Sequence, residues 1–255
     1  MSENISRRSA LGVLGGMGTA LVGNHPAAEG PQASISAGKD RKVKLVIVGG
    51  HPDDPESGCG GTMASFAEMG HEVVALYLTR GEAGIAGKSH DEAAAIRTAE
   101  CVEACKILKA RPTFAGQVDG STEINATRYD EMRKLLKGEE PDIVLAHWPV
   151  DTHRDHRAAS FLVYDAWLHL DRKFALYYFE VMSGSQTQNF SPTDYVDITA
   201  TEDRKRATCF AHKSQNPEGF YAHHDMMNRF RGLESGHKYA EAFVRHVQSR
   251  GGLNP

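Results

Sequence analysis

From residue 42 onward, short apolar runs alternate with longer segments whose apolar residues recur at helical spacing. Residues 42–49, 72–79, 142–147 and 174–181 are apolar runs of strand length, and 112–115 and 195–198 are shorter candidates. Met63, Phe66 and Ala67 share one face of a predicted helix over 55–69, and Gly70 suits its C-terminal cap. A long helix over 91–109 carries Ala95, Cys101, Val102, Cys105 and Leu108 on its apolar positions. Further helices are expected over 124–137, from 156 to about 170, over 201–212 with Thr201 as N-cap, and over 218–233. Residues 239–247 fit a strand or a helix equally well. Strands that are apolar throughout, alternating with helices, predict an α/β fold: a mostly parallel sheet with helices on both faces. Ligands of such folds sit beyond the carboxyl ends of the strands.

Two of the runs end in ionisable clusters. The first leads through Gly49 and Gly50 into His51, Pro52, Asp53 and Asp54; the other leads into Asp151, His153, Asp155 and His156. Imidazoles and carboxylates gathered at a strand mouth are costly without a cation or a shared proton. Two imidazoles and a carboxylate, with a fourth position open, are the usual donors of a catalytic zinc. His51, Asp54 and His156 are therefore the candidate metal ligands. Zn2+ is the expected ion, and iron or cobalt suit the same donors. Asp53 points away from Asp54 on an extended loop, where it can serve as general base toward a metal-activated water. His153 lies on the same side of a first helical turn as His156. A protonated His153 would stabilise a developing oxyanion, and Asp155 would hold that ring charged. Each motif alone also fits a capped turn; their joint position after parallel strands favours a metal. His71, His90, His147 and His169 read as ordinary surface or core histidines. His223, His224 and Asp225 form another cluster, on a helical run where adjacent residues diverge.

Composition narrows the partner. With a formal charge of -4 and a pI of about 6.3, the chain lacks the basic stripe that nucleic acid requires. No apolar run reaches the roughly 18 residues of a membrane span. A small-molecule or glycan substrate is expected, and nothing in the sequence signals an oligomeric state. Cys59, Cys101, Cys105 and Cys209 form no CxxC pair and read as core thiols, although export would leave one bridge open.

The first 38 residues follow another pattern. Ser6, Arg7 and Arg8 precede a mildly apolar, glycine-rich run over 10–23, then a small-residue exit at 24–28 and a Pro/Ala/Ser/Gly-rich stretch. That order is the order of a secretory signal, and paired arginines with weak hydrophobicity favour the twin-arginine route. The expected organisation is an export signal and linker over 1–38 and a catalytic domain over 39–255. The mature protein would be periplasmic or extracellular; a non-functional leader would leave it cytoplasmic.

GHPDDPESGCGGT, LTRGEAG and HRDH, followed by EVMSGSQTQ, VDIT and AHKSQ, resemble the LmbE-like, or PIG-L-like, family of zinc-dependent N-acetylglucosamine deacetylases. The resemblance runs from Lys42 to the C-terminus. It implies a Rossmann-like sheet and hydrolysis of an acetamide on an amino sugar. Residue by residue, His51, Asp54 and His156 fall on the family's zinc ligands and Asp53 on its general base. His153 falls on the oxyanion-side histidine and Asp155 on its acidic neighbour. Arg97 stands where the family often carries a sugar-contacting arginine, although a surface salt bridge would also explain it. Glu82 would brace the metal loop. His212, with Lys213, Ser214 and Gln215, would line the far wall of the pocket, unless it merely ends a helix. Pro55 separates Asp54 from Glu56, where many members have Glu directly, so Glu56 reads as structural. Arg154 stands where proline is frequent. The same centre would serve another N-acyl or ester substrate, and a fold of this type can also persist as a non-catalytic sugar-binding module.

N-terminal sequencing of protein from an extracytoplasmic fraction is expected to begin after the leader. An intact Met1 in the cytosol would end the export reading.

Overall fold

The structure is a computed structural model and describes residues 41–253. The leader expected over 1–38 lies outside the described residues. Strands β1 (Lys44–Gly49), β2 (Glu72–Tyr77), β3 (Arg111–Phe114), β4 (Ile143–His147), β5 (Ala175–Phe179), β6 (Asp194–Asp197) and β7 (Ala240–Arg245) form one sheet in the order β3-β2-β1-β4-β5-β7-β6. Pairing is parallel from β3 through to β5, while β7 runs antiparallel to both β5 and β6. Helices α1 (Asp54–Glu68), α2 (His90–Leu108), α3 (Ala126–Glu139), α4 (Arg154–His169), α5 (Glu202–Cys209) and α6 (Pro217–Ser235) accompany it. This is the mostly parallel α/β sheet that the sequence predicts.

β1 shows why the strands lack alternation. Leu45 and Ile47 pack into a core with Met63 and Phe66 of α1 and Cys105 and Leu108 of α2. Val46 and Val48 face the opposite core, with Met132 and Leu136 of α3 and Leu162 and Trp167 of α4. Successive side chains point to opposite faces, so a strand covered on both sides is apolar at every position. Residues 239–247 lack such an uninterrupted run, because Glu241, Arg245 and His246 stand within them. That segment supplies β7, inserted between β5 and β6, with Ala240, Ala242 and Phe243 all buried. All four cysteines are buried free thiols.

Helix ends follow local chemistry. Ser89 Oγ accepts from Glu92 N–H at 3.3 Å while Glu92 Oε2 accepts from Ser89 N–H at 3.0 Å, a reciprocal cap that starts α2. Thr201 does precede α5, but its hydroxyl donates to Gly61 O at 2.9 Å and caps nothing in its own helix. It ties α5 to α1 instead. That approach needs a bare backbone: a Cβ on Gly61 would lie 2.5 Å from Ile198 Cγ2. Nearby, Glu241 of β7 accepts from the N–H groups of Gly61 at 2.9 Å and Thr62 at 2.8 Å. Its partner is Lys205 of α5, whose Nζ stands 2.7 Å from Glu241 Oε1, both side chains 1% exposed.

The topology places the site. From β1 the chain moves outward to β2 and β3, then returns through α3 to β4 on the other side of β1. The crevice at the carboxyl ends of β1 and β4 is the switch point where such sheets bind ligands. Both polar clusters open into it.

Replacing Lys205 by Met leaves Glu241 as a buried, uncompensated charge. The expected loss is about 3–5 kcal/mol of folding stability, measured by denaturant unfolding.

Candidate active site

Leaving β1, the chain passes Gly50, where a Cβ would meet His156 Cδ2 at 2.9 Å. The missing side chain lets the β1 loop lie against the start of α4. His51 presents its two ring nitrogens to different carboxylates. Nδ1 is 3.2 Å from Asp54 Oδ2, and Nε2 is 3.1 Å from both Asp119 Oδ1 and Asp155 Oδ2. His156 Nε2 lies 3.3 Å from Asp54 Oδ1. Its Nδ1 lies 3.2 Å from Asp151 Oδ1, but at an angle that makes no hydrogen bond. Asp54 thus touches both histidines with which the sequence grouped it. The tighter sets, whose donor atoms fall within 4.8 Å of one another, are His51, His153 and His156; Asp54, His147 and His156; and His51, Asp119, His153 and Asp155.

His147, an ordinary histidine by sequence, is part of this centre. It ends β4, stacks on His156 with ring centroids 3.9 Å apart, and approaches Asp54 Oδ2 at 3.2 Å. Gly50 N–H donates to its Nε2 at 3.0 Å, and its buried Nδ1 has no partner among the described residues. Position alone, at the carboxyl end of a strand beside β1, was the available signal. Asp119 was also missed, because it sits in a loop with no motif. Glu82 holds that loop, accepting from Asp119 N–H at 3.1 Å, so it braces Asp119.

Asp155 departs from its expected contact. Its carboxylate accepts from Gly120 N–H at 2.7 Å and Thr122 Oγ1 at 2.6 Å and reaches His51, not the ring of His153. His153 is the N-cap of α4, and what it receives from Asp155 is the backbone N–H, donated to Nδ1 at 3.3 Å. A helix begins between the two residues, and that turns the carboxylate back toward the 119–122 loop.

Asp53 and Asp54 face different surroundings. Asp53 adopts φ 113°, a left-handed backbone that a non-glycine residue keeps only when its neighbours enforce it. Arg97, buried and not at the surface, donates through Nη2 to Asp53 Oδ2 at 2.7 Å and to Pro52 O. Asp53 N–H donates to Glu56 Oε2 at 3.2 Å. Glu56, fully buried, also accepts from the Tyr77 hydroxyl at 2.6 Å. His212 is fully buried, with Nε2 3.4 Å from Glu56 Oε1. It therefore supports the floor beneath Asp53 and does not line the pocket wall; in the AHKSQ segment it is Gln215 that reaches the cavity.

The electrostatics separate the two acids. Burial raises the pKa of Asp53, and the opposing pull of Arg97 does not cancel that rise. Burial also acts to raise Asp54, but His156 and His147 hold it well below the usual carboxylate range. His156 is pushed up to about 9: burial opposes its charge, and Asp54 and Asp151 outweigh burial. His51 is likewise raised, its three carboxylates overcoming burial. Burial and the neighbouring His156 take His147 down to about 4. Burial, with His51 and His156, lowers His153.

These residues suit a divalent cation. Imidazole nitrogens and carboxylate oxygens converge, and protonated His51 and His156 carry positive charge where carboxylates gather. Asp119 and Asp155 also stand at Nε2 of His51, on the side of the ring away from Asp54, and carboxylates so placed orient a histidine. A cavity of about 500 Å³ opens onto the cluster, bordered by His51, Asp53, Asp54, Asp119, His153 and His156.

Fold and site together define a Rossmann-like α/β protein with a histidine–carboxylate centre at the sheet switch point. The profile described as PIG-L, GlcNAc-PI de-N-acetylase, matches residues 46–167. Diacetylchitobiose deacetylase of Thermococcus kodakarensis is 31% identical over 225 residues, covering 80% of this chain and 83% of that protein. The chain belongs to the PIG-L family. A conserved protein of Thermus thermophilus superposes with a TM-score of 0.70 at 31% identity, covering 80% of this chain and 95% of its own. N,N'-diacetylchitobiose deacetylase of Pyrococcus horikoshii superposes at 0.72 with 26% identity, covering 82% and 85%.

Metal analysis of the purified protein is expected to find about one divalent ion per chain. Asp54→Asn and His156→Gln should each lower that content strongly, as read by elemental mass spectrometry.

Proposed function

We propose that the chain is a zinc-dependent hydrolase that removes the N-acetyl group from an N-acetylglucosamine-type amino sugar. The division of labour between two adjacent acids carries the reading. Asp54 turns into the histidines with its pKa depressed, while Asp53 borders the cavity with its pKa raised. The relatives support the reaction class, since both named enzymes are deacetylases of an acetylated amino sugar.

His51, Asp54 and His156 would hold the ion, with His147 beside them. When bound, it supplies Lewis acidity to the acetyl carbonyl and makes water a competent nucleophile near neutral pH. Asp53 takes a proton from the attacking water and afterwards gives it to the leaving amine. A carboxylate with a raised pKa suits both halves of that transfer. Arg97 keeps Asp53 in place from α2. His153 acts as a neutral hydrogen-bond donor: its Nδ1 accepts the Asp155 N–H, so the ring proton sits on Nε2. That proton is offered to the oxyanion as the carbonyl carbon becomes tetrahedral. This neutral ring stands in place of the protonated His153 expected from the sequence, because burial first, and then the neighbouring His51 and His156, disfavour its charge.

The substrate class is tested by acetate release from a panel of N-acetylated sugars set against N-acyl amino acids; preference for the amino acids would overturn it. Asp53→Asn should keep its metal and lose about 10²–10⁴-fold in kcat. Full turnover in that variant would remove Asp53 from the chemistry.

A further inference from the structure

The family match ends at residue 167, yet the cavity does not. Part of its wall comes from Val181, Met182 and two side chains of α6, Phe220 and His224. Phe220 and His224 are four residues apart and so share one face of the helix. Their ring centroids lie 6.3 Å apart, edge to face at 86°.

His224 is 2% exposed, and its Nδ1 has no partner among the described residues. A polar ring buried in this way is normally paired. Burial, with Lys205 and His223 nearby, holds it well below the usual histidine range, so it is neutral. A neutral imidazole whose Nδ1 is bound to nothing can adopt either tautomer, and so can donate to a hydroxyl or accept from one. Phe220, Val181 and Met182 make this part of the lining apolar, whereas the part nearest the metal ligands is ionic. A pyranose has the matching character, with an apolar C–H face and a rim of hydroxyls.

We propose that the Phe220–His224 face of α6 is the sugar subsite: Phe220 packs against the C–H face of the hexosamine ring, and His224 hydrogen-bonds one of its hydroxyls. Selection for an amino sugar over a sugar-free acetyl compound then resides in α6, beyond residues 46–167 that the family profile matches. The metal cluster supplies the bond cleavage. This inference rests on the amino-sugar deacetylase reading above.

The test compares the metal-loaded full chain on N-acetylglucosamine and its β-1,4-linked dimer with its action on 4-nitrophenyl acetate, which carries no sugar. Phe220→Leu and His224→Gln should each lower the sugar-to-ester ratio of kcat/KM by about fivefold, roughly the 1 kcal/mol that a hydrogen bond or ring contact is worth. The change should fall mainly on KM for the sugar, with bound metal unaltered. Phe220→Tyr, which keeps the ring, should keep the ratio, and it serves as the decisive variant together with His224→Gln if Phe220→Leu does not fold. An unmoved ratio in His224→Gln and Phe220→Leu overturns the subsite while leaving the deacetylase reading intact. A wild type that cleaves the ester and neither sugar overturns both.

Discussion

One buried carboxylate organises the centre. Asp54 stands among the rings of His51, His147 and His156, and it is the first of the groups that hold His156 charged against burial. A carboxylate in that position is tolerable only because cationic groups, or an ion in their place, surround it. The fold meets this requirement by setting β1 beside β4. One strand leads to His51 and Asp54 just past its end; the other ends in His147 and leads through a loop to His156 in the first turn of α4. A parallel pairing brings both sets out at the same edge of the sheet. An antiparallel pairing would have put them at opposite edges.

The floor under Asp53 shows a second use of buried charge. Glu56 and Arg97 approach the same short loop from α1 and α2, and each takes a different backbone or side-chain group of it. Neither acid nor base there is free to relax, because Tyr77 and His212 pack behind Glu56. The left-handed backbone of Asp53 is thereby over-determined, which is the condition under which strain persists at a working site.

How much of this could be read beforehand depended on the kind of signal. Strands β1, β2, β4 and β5 were legible because burial on both faces leaves an uninterrupted apolar run. β7 was not, since its short run of Ala, Glu, Ala, Phe, Val and Arg carries neither period. Residues in compact motifs, His51 to Asp54 and His153 to His156, could be assigned to one site before any geometry was known. His147 and Asp119 could not, because they join it only through the sheet order and a loop of unremarkable sequence. Sequence puts Asp155 and His212 in the right neighbourhood, but their partners are the 119–122 loop and Glu56. One residue of register at the start of a helix decides which way a carboxylate swings, and sequence spacing does not resolve that.

The clamp of Glu241 on α1 spans 180 residues of sequence. During synthesis the first loop of the centre emerges early, whereas the carboxylate that grips the middle of its helix belongs to the final strand. Long-separated contacts of this kind form late. The nascent chain therefore carries the ligands of its first loop well before that loop's supporting helix is locked, and the centre reaches its mature rigidity only once β7 has been made.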